Sequence, residues 1–148
     1  MAKPAKGLKT LIRLSKFNVD ERRRVLTALQ NREDQIIEEI RQGELRLKEE
    51  QRLAAEDAAG IGYLYGAYHK AWMQRRDQMH QALTAVRAEI EVARDELAEA
   101  FRQQKTYEVT QANREKAERE EADRKEQIFL DEVGSNIHRR KEKDAEAE

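Results

Sequence analysis

No cysteine occurs in this chain, which excludes disulfides and thiol chemistry. Proline occurs once, as Pro4, so nothing downstream forces a helix to break. Aromatics make up 5% of the 148 residues, too few to fill a compact core. No stretch approaches the roughly 20 apolar residues of a membrane span. Lys9, Arg13 and Lys16 break up the apolar segment that a signal peptide needs, so the expectation is a protein made and kept in the cytosol. Neither sign of charge dominates: 29 basic residues face 30 acidic ones, and no global field draws the chain to nucleic acid or membrane.

Catalytic signatures are lacking as well. There is no P-loop, and Gly60-x-Gly62-x-x-x-Gly66 misses the dinucleotide spacing by one residue and follows a helical pattern rather than a strand. His69, His80 and His138 are scattered, and Asp77-x-x-His80 is a lone carboxylate–histidine pair, whereas a di-iron bundle needs two Glu-x-x-His motifs with further glutamates. The carboxylates lie in salt-paired stripes, the pattern of a solvated face. The chain is expected to be no enzyme, with no cofactor and no metal.

What is present is helix. Charged residues are 40% of the chain, and Ala, Glu, Lys, Arg, Gln and Leu dominate, as in long coiled-coil helices. One patch departs from this. From Ala58 to His69 no residue carries a full charge, and the run holds Gly60, Gly62, Gly66, Tyr63, Tyr65 and Tyr68, with Trp72, the one tryptophan, just beyond. Long helical patterns flank it, so it reads as the turn of a hairpin. The first helix shows a stripe at Val25, Leu29, Ile36, Ile40, Leu47, Ala54 and Ala58, in which Val25, Ile36, Leu47 and Ala58 recur every eleven residues. Gly43 interrupts it at a cost of about 1 kcal/mol relative to Ala. Asn18-Val19-Asp20-Glu21 reads as a capping box, although Leu8, Leu11, Ile12 and Phe17 offer an earlier start. The second helix shows a seam at Met79, Leu83, Val86, Ile90, Ala93, Leu97 and Phe101.

The expected fold is therefore all-α, a long antiparallel two-helix coiled-coil hairpin with the second helix overhanging. Helix 1 is placed at about 9–59, the turn at about 60–63, helix 2 at about 64–141 and a tail at 142–148, all in one domain. A turn at 61–62 pairs position i with about 123 − i and sets Ile36 against Val86 and Arg87. Past residue 115 helix 2 has no partner. From Arg114 to Glu126 only Ala117 and Ala122 are uncharged, with Glu115→Arg119, Glu120→Arg124 and Glu121→Lys125 as supporting i,i+4 pairs. Apolar character returns at Ile128, Phe129, Leu130, Val133 and Ile137 with nothing of its own to pack against. Tyr65, Tyr68 and Trp72 share one helix face, which either closes the end of the coiled coil or binds a partner. Residues 1–24 hold eight basic residues against two acidic, a net of +6, either a solvated helix start or an arm for an anionic surface.

Four blocks resemble the FliJ family, the coiled-coil stalk of the bacterial flagellar export apparatus. They are Leu11-Ile12-Arg13-Leu14-x-Lys16-Phe17-x-Val19-Asp20-Glu21-x-Arg23-Arg24, Gly62-Tyr63-x-Tyr65-Gly66-Ala67-Tyr68, Ala98-Glu99-Ala100-Phe101-Arg102-x-x-Lys105-x-Tyr107-Glu108, and Glu126-Gln127-x-x-Leu130-Asp131-Glu132 followed by Arg139-Arg140. Gly134-Ser135-Asn136 departs from the continuous helix of that pattern. The resemblance implies a non-enzymatic stalk that binds the ring of the export ATPase, promotes its assembly and activity, and couples it to the membrane export gate. It implies contact with the gate's cytosolic domain at Tyr63, Tyr65, Tyr68 and Trp72. It implies contact with the ATPase ring at Arg13, Arg23, Arg24, Arg119, Arg124, Phe129, Leu130, Arg139 and Arg140. Export chaperones are further partners it allows; nucleic acid and direct membrane insertion are not expected. The implied location is cytoplasmic, peripheral at the cytoplasmic face of the inner membrane. A generic scaffold coiled coil, expected to dimerise, and the equivalent stalk of an injectisome are the competing readings.

Overall fold

The structure, a computed structural model, describes residues 3–56 and 62–147, with side chains from residue 7 to 56 and from 64 onward. It contains two helices, α1 (Lys3–Glu56, 54 residues) and α2 (Gly62–Glu146, 85 residues). Pro4 sits in the first turn of α1, where its missing N–H has no helical partner to lose. α1 starts at Lys3 rather than near residue 9, and Asn18, placed by sequence at a cap, lies inside it. The helix has no reason to begin at Asn18, because Ser15 and Val19 on either side of it are both buried in the hairpin. α2 runs on to Glu146, through Gly134-Ser135-Asn136 without a break. The turn placed by sequence at about 60–63 lies largely outside the described residues.

Contacts divide the chain into two units. One, residues 15–102, is an antiparallel hairpin. Covered residues of α1 there include a run that steps by four and three: Ser15, Val19, Arg22, Leu26, Leu29, Glu33, Ile36, Ile40, Gly43, Leu47. Those of α2 do the same: Trp72, Arg76, Met79, Leu83, Val86, Ile90, Ala93, Leu97, Ala100. This is a heptad seam on both helices. Ile36, Ile40, Leu83, Val86 and Ile90 form its core, flanked by Leu26, Leu29, Met79 and Ala82. Two expectations change accordingly. The eleven-residue recurrence is not the packing period, and Val25 is 45% exposed while Leu26 beside it packs on the core. On α2 the seam ends this unit at buried Ala100, and Phe101 lies outside it at 41% exposure.

The helices also meet in a different register. Among the described residues α1 ends at Glu56 and α2 begins at Gly62. Arg22 bonds Glu96 at 2.7 Å and Arg87 meets Glu33 at 3.4 Å, both nearer the turn than the expected pairing. The helices approach closely at Gly43, where a Cβ would fall inside the six-membered part of the Trp72 indole, against Cη2, Cζ3 and Cζ2. The glycine that costs α1 helix propensity is the socket for the tryptophan of α2.

The other unit comprises residues 1–14 and 103–148. Its covered residues are Leu8 and Ile12 on α1 and Gln104, Tyr107, Glu108, Thr110 and Gln111 on α2, so these pack on one another. From residue 112 to 147 every residue of α2 is exposed. Of the three i,i+4 pairs expected there, Glu121–Lys125 is present at 3.9 Å, while Glu115 instead accepts from Gln111 Nε2 at 3.1 Å.

Gly43→Ala tests the socket. In an exposed helix the change would add about 1 kcal/mol of helix stability. Here the methyl group must displace Trp72 or part the helices, and overpacking of this kind costs about 1–3 kcal/mol. We expect a lowered midpoint in thermal unfolding followed by circular dichroism; an unchanged or raised midpoint would show that the ring does not occupy the notch in solution.

Candidate partner-binding surfaces

The aromatic group near the turn does not present a single face. Tyr63 lies outside the described side chains. Tyr65 is half-buried, with its ring 5.9 Å from that of His69 and tilted by 43°. Tyr68 is exposed. Trp72, grouped with them by spacing, is buried at 7% exposure and belongs to the interhelical contact. Its reach across the seam explains the difference: a ring aimed at a residue without a side chain is covered by the opposite helix. Its Nε1 is buried without a hydrogen-bond partner, as is Arg76 Nε one turn along. Such orphaned donors cost more than a neutral exposure would.

Beside the socket, Glu38, Glu39, Gln42, Gly43, Arg46, Trp72, Arg75 and Met79 line a shallow groove of about 260 Å³. Its charges are mixed, and Glu38 among them is engaged along α1. Arg41 donates to both carboxylate oxygens of Glu38, at 2.9 and 2.7 Å, and Gln42 donates to one at 2.9 Å. The Arg41 hydrogen bonds, aided by that from Gln42, hold the Glu38 carboxyl down at about 2. About three turns along, Arg52 forks between Glu49 and Glu56, which lowers the Glu49 carboxyl and raises the Arg52 guanidinium.

The cations expected at an ATPase contact differ in what occupies them. Arg23 lies over the Phe101 ring, 4.9 Å from its centroid, a cation–π contact between the two helices. Arg24 bonds Glu21 at 2.7 Å. Both belong to the hairpin unit. Arg13, Arg119, Arg124, Arg139 and Arg140 belong to the other unit and are exposed, as are Phe129 at 62% and Leu130 at 53%. Ile128, Val133 and Ile137 add to this apolar surface. Among the described residues no cluster of His, Asp and Glu could hold a metal, and no helix is long and apolar enough to cross a membrane.

A family model described as "Flagellar FliJ protein" matches residues 5–143, nearly the whole chain. The chain belongs to the flagellar FliJ family. No curated protein and no solved structure matches it. Membership in the FliJ family makes the chain a component of the flagellar export apparatus, in a family of non-enzymatic proteins. It assigns no partner to any one of the surfaces above.

What sequence spacing missed in this FliJ-family protein is the pairing of Gly43 with Trp72. The signal was available in the strict four–three stepping that starts at Leu8: carried forward, it places Gly43 on the seam of α1, and the same stepping carried back from Met79 places Trp72 on that of α2. The groove beside this pair gives a pH prediction. A depressed carboxyl favours the folded helix above its unfolded value of 4.5, and that contribution fades as pH falls through about 2. The side-chain carbonyl resonance of Glu38 should therefore titrate well below 4.5 by NMR, and replacing Arg41 with Ala should return it toward that value.

Proposed function

We propose that this chain is a non-enzymatic stalk of flagellar protein export that binds the ring of the export ATPase, promotes its assembly and activity, and couples it to the cytosolic domain of the export gate. One observation carries the ATPase half of this reading. The 35 residues of α2 from 112 to 146 have no cover of their own and bear five large apolar side chains at 37–62% exposure. Solvated helices do not carry such a group without a partner. The ring contact is assigned to Arg13, Arg119, Arg124, Phe129, Leu130, Arg139 and Arg140, with Arg23 and Arg24 available only by giving up Phe101 and Glu21. The gate contact is assigned to Tyr63, Tyr65 and Tyr68, with Trp72 as the residue that positions their helix. The protein then works in the cytoplasm, at the cytoplasmic face of the inner membrane when assembled.

Deleting residues 127–148 should leave the hairpin's unfolding midpoint unchanged and remove stimulation of the purified export ATPase, while binding to the gate's cytosolic domain survives. Full stimulation by the truncated chain would reverse the assignment of the two surfaces.

The two kinds of aromatic near the turn separate by experiment. Tyr65→Ala with Tyr68→Ala should weaken gate binding, since aromatic anchors carry about 2 kcal/mol or more of an interface, with little change in thermal midpoint. Trp72→Ala should lower the midpoint by an amount typical of a large core truncation, about 3–5 kcal/mol. Loss of stability from the tyrosine pair with intact gate binding would make them a cap on the coiled coil.

A further inference from the structure

The solvated part of α2 keeps its charges in two sets. The ion pairs it forms along itself, Glu121–Lys125 at 3.9 Å and His138–Glu142 at 3.1 Å, lie off the face that carries Leu130, Val133 and Ile137. That face continues at steps of three and four, through Glu126, Asp123 and Arg119 in one direction and through Arg140 and Asp144 in the other. All eight residues are exposed. Among the described residues, Arg119, Asp123, Arg140 and Asp144 have no side-chain partner.

This heptad strip is not the continuation of the contact with α1. At about 100° per residue, Leu130, Val133 and Ile137 lie roughly a quarter turn from the direction of Gln104, Tyr107 and Gln111, the residues of α2 that α1 covers. The order of charges along the strip selects what covers it. Laid antiparallel against itself with Leu130 facing Val133, the strip sets Ile137 against Glu126, Asp123 against Arg140 and Arg119 against Asp144. Glu120 falls beside Lys141 on the flank. Two-fold symmetry makes every one of these contacts twice. Other alignments lose the match. A slip of one heptad in one direction sets Leu130 against Arg140 and Glu126 against Asp144, and in the other sets Asp123 against Val133 and Lys116 against Arg140. A parallel copy in register sets every charge against itself. Charged seam positions of this kind fix register and direction at a cost in stability.

We propose that residues 117–146 of α2 pair with the same segment of a second copy of this chain, as an antiparallel two-stranded coiled coil centred on Leu130 and Val133. The paired stretch begins beyond Gln111, the last covered residue of α2, so it takes nothing from α1. With one apolar contact made twice and charges over the rest of the seam, the pairing is weak and reversible. It does not rest on the stalk reading, but it bears on it. Arg119, Leu130 and Arg140 are assigned above to the ATPase ring, so the paired and ring-bound forms exclude each other. The second copy keeps the strip covered until the ring takes its place.

The test uses the full-length chain alone, in sedimentation equilibrium from about 5 to about 500 µM. Wild type should pass from monomer to dimer within that range. Arg140→Asp and Asp123→Arg should each weaken the dimer by about tenfold or more, because each sets like charges face to face twice. The double variant Asp123→Arg with Arg140→Asp should recover the wild-type dimer, and the two single variants, each impaired alone, should pair when mixed. Circular dichroism should show the hairpin's unfolding midpoint unchanged in all of them, since neither residue has a partner on its own chain. A wild type that stays monomeric across the range overturns the proposal. So do single variants that dimerise as tightly as wild type, which would put the contact elsewhere, and a double variant that fails to recover, which would refute the register. No arm contains the ATPase, so none of these results touches the stalk reading, and a failure of ring binding leaves the pairing as it stands.

Discussion

Two helices that share a narrow heptad seam are held apart from each other only by what lies between them, and they retain one easy motion, sliding by a heptad. A seven-residue slip would again set seam positions opposite seam positions. The contact of Trp72 with Gly43 removes that freedom. An indole fits over the seam only where the facing residue has no side chain, and α1 has one such residue between Gly7 and its end at Glu56. The bonds from Arg22 to Glu96 and from Arg87 to Glu33 are then placed by the ring rather than placing it. Exposed ion pairs of this kind contribute at most about 1 kcal/mol each. Most of the remaining ion pairs join residues three or four apart on one helix, which stiffens a helix without telling it where its partner lies.

The seam itself is thin. Its buried stretch reaches Ile36, Ile40, Leu83, Val86 and Ile90, while Arg22, Glu33, Arg76 and Gln104 occupy seam positions elsewhere. None of the large side chains among the described residues is less than 2% exposed. Stability is therefore distributed unevenly along the chain. It is highest around the five-residue core and lowest where α2 has only water around it. The solvated part of α2 depends on helix propensity and local pairs such as Glu121–Lys125. A segment supported only in this way is suited to acquiring its packing from another molecule.

Much of this was legible in the sequence. The absence of proline after Pro4 and the strip from Arg114 to Glu126 announced two long helices with part of the second unpaired, since neither feature depends on knowing what faces what. Register was not legible, because it depends on where the connection centres, and a run of glycines from Gly60 to Gly66 marks a turn without marking its midpoint. Val25 and Phe101 were misplaced for a related reason. Each sits one position from a seam residue, Leu26 and Ala100: the eleven-residue recurrence drew in Val25, and at Phe101 hydrophobicity favours the larger side chain over the alanine that fits. Trp72 was grouped with the tyrosines by spacing, but its burial is decided by Gly43, 29 positions away in the chain and adjacent only after folding.

The socket at Gly43 also constrains how this pair of positions can change over generations. Shrinking Trp72 leaves a cavity, which weakens the hairpin but breaks no geometry. Enlarging Gly43 first drives atoms into a ring that is still there. The two positions are thus coupled: a side chain large enough to fill the notch has no room while the ring is there, and the ring has no room where the notch is already filled. Among related chains, a large residue at the position of Gly43 should be found only with a small one at the position of Trp72, while glycine there is free to accompany either.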